Sequence, residues 1–248
     1  MEPQTADIFF PSLNNLQNTN YYQYPSFVQN ERNRDEIIIK GSKAYAFFKR
    51  GFDILLSSLL ILLLSPLLLV LAFLVKTTSK GCVLFRDKRI GYQEKEIGVL
   101  KFRTMYSDAE THIHKYLTDE QYHQWKIERK LDNDPRITKI GKFLRKTSLD
   151  ELPQIFNIFM GTLSFVGPRP VTALELKENY THYERRCLAQ VKPGLTGYWQ
   201  VYGRSDVDYK SGERQKEELA YLPRRSLLFD LKLMILTIPA VLKHKGAK

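Results

Sequence analysis

Asp150 and Glu151 draw attention first, because of what surrounds them. Arg145 and Lys146 precede the pair by a few residues, and Arg169 follows in a stiff Gly167-Pro168-Arg169-Pro170 run. Guanidinium groups take phosphate oxygens two at a time, and a helix N-terminus attracts anions and keeps a nearby aspartate ionised. An ionised carboxylate beside arginines that position a diphosphate is what attack on phosphorus requires. Glu151 suits Mg²⁺, which takes oxygen ligands and bridges substrate phosphates. A plainer reading is complete in itself. Ser148 caps a helix, Glu151 three residues on closes a capping box, and acidic side chains in a first turn favour the helix dipole.

Other chemistry-bearing residues say less. Asp132-Asn133-Asp134 and Asp206-Val207-Asp208 have the Asp-x-Asp form of nucleotide-sugar metal sites, but such triplets arise readily by chance and the first is well explained as a turn. His112, His114 and His123 fall on a charged segment with no metal-type frame, so they read as surface residues. Trp125 and Trp199 fit packing and interface anchoring equally. Cys82 and Cys187 form neither a zinc spacing nor a disulfide framework, which fits a reducing cytoplasmic setting. No Gly-x-Gly-x-x-Gly or P-loop is present.

The most pronounced element available to position these residues is apolar. Ile54 to Val75 is interrupted only by Ser57, Ser58, Ser65 and Pro66. As a helix it measures roughly 33 Å, long enough to span a bilayer. Ser65-Pro66 breaks it at the midpoint, where proline removes a backbone donor and bends the chain. Basic residues also flank both ends, Lys49 and Arg50 before and Lys76 and Lys80 after, whereas a crossing helix carries that bias on one side. A kinked span and a helix that enters one leaflet and returns both satisfy this pattern.

A second apolar helix is expected over Leu227 to Leu242, too short between Lys232 and Lys243 to cross, and either interfacial or part of the core. Between the two lie a β-hairpin (Val83–Arg86, then Ile97–Met105), a charged helix over Asp108–Lys130 and a short basic helix over Ile137–Lys146. A helix opening at Ser148 and another over Glu175–Gln190 complete an α+β chain in three parts: a polar, disordered or loosely docked tail (1–42), a membrane segment (43–80) and a soluble body (81–248). The 248 residues carry a net +11, and residues 1–40 are themselves net acidic, which leaves +13 on the rest. That excess calls for a polyanion: nucleic acid, an anionic bilayer or a phosphorylated substrate. No aromatic-interleaved nucleic-acid module accompanies it, so nucleic acid is not expected.

The motifs gain force together. Lys49-Arg50-Gly51-Phe52-Asp53, the Ser65-Pro66 break, Lys101-Phe-Arg-Thr-Met105, Asp134-Pro-Arg-Ile-Thr138, Leu144-Arg-Lys-Thr-Ser-Leu-Asp-Glu-Leu-Pro-Gln154, Val166-Gly-Pro-Arg-Pro170 and Lys192-Pro-Gly-Leu-Thr-Gly197 occur in that order. From about residue 43 to 243 the chain resembles the bacterial sugar transferases, the monotopic polyprenyl-phosphate phosphoglycosyl transferases. The resemblance implies a monotopic, membrane-associated α+β fold with a re-entrant helix broken at Ser65 and Pro66, a small hairpin and interfacial helices. It implies Asp150 as nucleophile, Glu151 tied to Mg²⁺, and Arg145 and Arg169 near the phosphates. Lys101, Arg103, Arg136 and Arg204 are the further basic residues assigned to phosphate and substrate. The implied reaction moves a sugar 1-phosphate from a UDP-sugar to polyprenyl phosphate, releasing UMP through a phosphosugar-aspartyl intermediate. Its place is the cytoplasmic face of the bacterial inner membrane, as the initiating step of a surface polysaccharide. With only a polar tail ahead of the membrane segment, the chain resembles the minimal catalytic form. Two rivals remain: a metal-dependent glycosyltransferase that releases UDP through an Asp-x-Asp triplet, and a non-catalytic membrane scaffold in which Asp150-Glu151 only caps.

Overall fold

The computed structural model describes residues 37–128, 131–203, 209 and 211–242; most of the polar tail lies outside them. Helix α1 (Lys43–Thr78) opens where the Ser42 hydroxyl accepts the Tyr45 amide at 3.1 Å. Its buried residues Tyr45, Asp53, Ser57, Leu68, Leu71 and Val75, with half-buried Lys49, Leu60 and Leu64 between them, recur in helical steps from the first turn to the last. Leu56 and Leu60 pack on the main core of the body, while Leu68, Leu71 and Val75 pack on a second cluster around Phe102 and Leu144. The opposite face is bare: Leu55, Leu62 and Leu69 are each more than two-thirds exposed, an apolar surface compatible with membrane association.

The helix stays continuous through Pro66. Proline withholds the amide that the Leu62 carbonyl would accept, and the Ser65 hydroxyl donates to that oxygen instead, at 2.8 Å. The Lys49–Asp53 motif clamps the first turns to the body. Lys49 Nζ reaches Asp230 at 2.6 Å, Arg50 donates to the Ile158 and Phe159 carbonyls at 2.7 and 2.8 Å, and Asp53 accepts the Phe165 amide at 3.1 Å.

Strands β1 (Leu84–Ile90) and β2 (Glu96–Phe102) form the antiparallel hairpin, from Leu84 opposite Phe102 to Ile90 opposite Glu96, with a first strand longer than expected. The charged helix expected over Asp108–Lys130 is divided. Asp108 is occupied by Lys115 and Tyr116 at 2.7 and 2.6 Å, α2 is one turn (Ile113–Tyr116), and Thr118 and Gln121 exchange cap bonds that start α3 (Asp119–Glu128). After α4 (Lys139–Thr147) the expected capping role of Ser148 fails. Ser148 adopts a left-handed conformation (φ 57°) that closes α4, and its side chain caps nothing. Asp150 and Glu151 therefore sit on a 3₁₀ turn, Leu149–Glu151, ahead of α5 (Gln154–Met160).

Strand β3 (Ser164–Val166) runs parallel to β4 (Gly194–Thr196), and the crossover holds α6 (Ala173–Asn179) and α7 (His182–Ala189). The single helix expected over 175–190 is split because Thr172–Glu175 and Thr181–Glu184 each form a complete capping box. Gly194 faces the Gly167 backbone so closely that a Cβ there would stand 2.1 Å from the Gly167 amide nitrogen, so both motif glycines are required by contact. Helices α8 (Tyr198–Tyr202), α9 (Glu213–Leu219) and α10 (Leu227–Leu242) follow. Leu233 of α10 is fully buried while Leu228, Ile235 and Ile238 are exposed, so this helix serves the core on one side and presents an apolar surface on the other.

Candidate active site

The turn carrying Asp150 and Glu151 is fixed from both sides. Behind it, Asn157 of α5 acts as an extra strand partner for β2: its Nδ2 donates to the Gly98 carbonyl and its Oδ1 accepts the Leu100 amide, both at 2.8 Å. That docking sets Glu151 across from Lys101 on β2, at 3.1 Å. Ahead of it, α4 leans on the end of the hairpin, where Thr104 O accepts the Thr138 amide at 3.0 Å and Thr104 Oγ1 accepts Arg145 Nε at 2.9 Å.

Lys101, Arg145, Asp150, Glu151 and Arg169 all line one open cavity of about 1360 Å³. Its lining includes the partly exposed apolar residues Leu84 and Phe85, a few residues beyond the end of α1 in the chain. Asp150 lies on a 3₁₀ turn, so the α-helix start expected to keep it ionised is not there. Burial, then the charge of Glu151, push the Asp150 carboxyl up to about 6 against the pull of Lys101 and Arg145. At neutral pH it is still mainly ionised, and a more basic carboxylate is a better nucleophile.

A chain of alternating charges links this pair to Arg169. Glu151 meets Lys101 at 3.1 Å, Lys101 lies 3.8 Å from Asp87, and Asp87 binds Arg89 at 2.7 Å. Arg89 then meets Glu175 at 3.2 Å, and Glu175 meets Arg169 at 3.2 Å. Asp87, Arg89 and Glu175 escaped the sequence reading, although the Thr172-x-x-Glu175 spacing was a visible cap signal.

Other candidates are placed differently. Arg136 is buried and bonded through Nε and Nη2 to Asp134, at 2.6–3.1 Å, and is absent from the cavity wall, so it holds the fold and no phosphate. The same pair explains Asp132-Asn133-Asp134 as a turn, with Asn133 at φ 55°. Arg103 lines the cavity but donates to the Ser79 carbonyl at 2.7 Å, closing the end of α1. Arg204 and the Asp206-Val207-Asp208 triplet lie outside the described residues. Ser65 and Pro66 belong to the membrane helix and not to the cavity. Among the described residues no three His, Cys, Asp or Glu side chains form a metal cluster.

A model of the bacterial sugar transferases matches residues 44–244. The chain belongs to the bacterial sugar transferase family. It is 42% identical over 203 residues to the exopolysaccharide production protein ExoY of Rhizobium meliloti, a match that covers 80% of this chain and 87% of that protein. It is 43% identical over 196 residues to the UDP-glucose:undecaprenyl-phosphate glucose-1-phosphate transferase of Klebsiella pneumoniae, covering 77% of this chain and 39% of the relative. The undecaprenyl-phosphate galactose phosphotransferase of Salmonella typhimurium is 38% identical over 203 residues, covering 81% of this chain and 42% of the relative. In these two longer relatives the shared region is about two-fifths of the protein.

Proposed function

We propose that this sugar transferase moves a hexose 1-phosphate from a UDP-sugar to polyprenyl phosphate and releases UMP. The observation that carries the reading is one cavity lined by a half-buried carboxylate (Asp150) that feels the charges of Lys101 and Arg145, with Arg169 on the same wall, in a chain whose long helix has a bare apolar face. A carboxylate oxygen of Asp150 attacks the β-phosphorus. The bond to the bridging oxygen breaks, and UMP leaves with that oxygen. A phosphate oxygen of the lipid then attacks the same phosphorus, forming the lipid diphosphate sugar and returning Asp150 to its free carboxylate. Arg145 and Arg169 hold the phosphate oxygens, and the arginine fork orients them for in-line displacement.

Burial first, and then the charge of the adjacent Glu151, raise the Asp150 pKa, and a divalent cation relieves such a carboxylate pair. Glu151, with substrate phosphate oxygens, would hold a Mg²⁺ ion, which takes such oxygen donors and, when bound, would neutralise charge on the diphosphate. The cavity and the membrane helix favour this reading over a UDP-releasing glycosyltransferase, which would be built from repeated βα units, and over a scaffold that needs no cavity. Incubation with a panel of UDP-sugars and polyprenyl phosphate tests it: UMP and a lipid diphosphate sugar are expected, and UDP release, or no turnover with any donor, refutes it.

We infer further that α1 dips into the cytoplasmic leaflet and returns, leaving the body on the inner face of the plasma membrane. Residues at both ends of the helix, Lys49 and Asp53 in the first turns and Val75 in the last, pack on the same body. Lys49 and Val75 are 26 residues apart, about 39 Å along a helix and more than a hydrocarbon core, so a straight span would draw the charged body into the bilayer.

A further inference from the structure

Arg214 on α9 has no part in the steps above, and its setting is unusually constrained. Its guanidinium lies 4.2 Å from the ring centre of Trp199 and 4.2 Å from that of Tyr209. With two aromatic rings packed on the guanidinium, its in-plane nitrogens are what remain to reach a partner. Nε donates to Glu218 at 3.3 Å; Glu218 is itself buried and held by the Tyr180 hydroxyl. Among the described residues neither terminal nitrogen makes a hydrogen bond, and Arg214 lines the same cavity as Asp150. Arg169 stands on the same tryptophan, 5.9 Å from its ring centre.

We propose that Arg214 is a third phosphate-binding guanidinium, which takes phosphate oxygens of the nucleoside diphosphate alongside Arg169. This rests on the reaction proposed above and names a residue of its donor subsite. A guanidinium fixed by two rings and a buried carboxylate has little rotational freedom left to lose, so its open edge is prepared for a tetrahedral oxyanion. Phosphate is common to both substrates, and placement separates them. Arg169 reaches the hairpin through Glu175 and Arg89, and Arg89 is four residues along β1 from Phe85 of the apolar lining, about 13 Å away. With the β-phosphate at Asp150, beside Lys101, the rest of the nucleotide therefore extends toward the Arg169–Arg214 side, and the lipid chain toward Leu84 and Phe85.

Arg214→Lys tests this, because lysine keeps a charge for Glu218 and loses both the fork and the stack. With UDP-sugar and polyprenyl phosphate varied separately, the KM for UDP-sugar should rise about tenfold and kcat should stay within about threefold. Product inhibition by UMP should weaken by a similar factor, while the KM for polyprenyl phosphate and the Tm hold. Arg214→Gln, read by the same UMP inhibition, serves if the lysine variant does not fold. An unchanged KM for UDP-sugar, or a rise confined to polyprenyl phosphate, overturns the assignment, as does a fall in kcat and Tm with both KM values unmoved. Failure of the underlying reaction looks different: the unmodified protein would then release no UMP at all.

Discussion

Gly141→Ala joins the fold to the chemistry in one methyl group. A Cβ at this position would stand 2.0 Å from the Thr104 carbonyl oxygen, at least 1 Å inside the closest contact that real Cβ atoms make. Thr104 backbone cannot yield easily, because its oxygen accepts the Thr138 amide at 3.0 Å and the Thr138 hydroxyl at 3.3 Å. A shift of α4 by about 1 Å stretches both bonds beyond hydrogen-bonding distance, at about 1 kcal/mol each. Overpacking adds about 1–3 kcal/mol, and the better helix propensity of alanine returns about 1 kcal/mol. The net cost is about 3 kcal/mol, or a Tm lower by about 6–12 °C for a domain of this size. Arg145 rides on the same helix and binds Thr104 Oγ1 at 2.9 Å, so the variant should also lose about tenfold or more in kcat/KM at temperatures where it is folded. Thermal unfolding in detergent and UMP release measure the two effects, with exposed Lys142→Ala as the neutral control on the same helix. A Gly141→Ala protein with Tm within about 2 °C of wild type and unchanged kcat/KM would refute both the close approach and the placement of Arg145.

Asp150→Asn should fold normally and release no UMP, since an amide cannot serve as the nucleophile; near-normal turnover in the folded variant removes the covalent route. For topology, Cys82 is exposed just beyond α1 and Lys40→Cys places a thiol just before it, so a membrane-impermeant reagent should label both in inside-out vesicles and neither in spheroplasts. Labelling from opposite sides would establish a span, and Pro66→Leu, which restores the missing amide, should move part of the population that way. The Asp134–Arg136 pair gives an acid signature. Burial would raise the Asp134 pKa, but the hydrogen bonds and charge of Arg136 outweigh it and hold the carboxyl below its usual range. The stabilisation from a depressed carboxyl is complete above about pH 4 and is lost as pH falls through the folded-state pKa, so Asp134→Asn should cost about 3 kcal/mol at neutral pH and flatten the fall in Tm below pH 4. An acid limb as steep in the variant as in wild type would contradict this.

Much of the fold was legible because its signals are local. The apolar run with its proline, the hairpin alternation and α10 each stood out in the chain, and α10 spans the residues that periodicity gave. Errors came where two local signals compete. Ser148-x-x-Glu151 has the form of a capping box and is none, because Ser148 takes a left-handed conformation that a serine does not advertise. The true boxes at Thr172–Glu175 and Thr181–Glu184 were hidden inside a stretch of good helix formers. At the site, Asp150, Glu151, Lys101, Arg145 and Arg169 converge on the cavity as expected. Arg136 misled because a buried arginine and a substrate arginine have the same letter, and only its bonds to Asp134 tell them apart. Asp87, Arg214 and Glu175 reach the site through contacts with Lys101, Trp199 and Arg89 that span 14, 15 and 86 residues of sequence, and no local pattern encodes those.

The membrane helix and the reaction site share their supports. The second half of α1 packs on Phe102 and Leu144, and these two residues are the immediate neighbours of Lys101, Arg103 and Arg145. Arg103 also closes the last turn of α1 by donating to the Ser79 carbonyl. Any change in how deeply α1 sits must therefore move the floor of the cavity with it, because cores are close-packed and transmit displacement without absorbing it. The first half is equally committed: Lys49 and Asp53 bind α10 and β3, so the helix cannot tilt away from one end of the body without straining the other. In the proposed reaction this arrangement would fix the height of Arg145 relative to the lipid surface. A polyprenyl phosphate holds its charge at the headgroup level and its chain below, and the same cavity lining offers Leu84 and Phe85 to the chain and Arg145 and Lys101 to the phosphate.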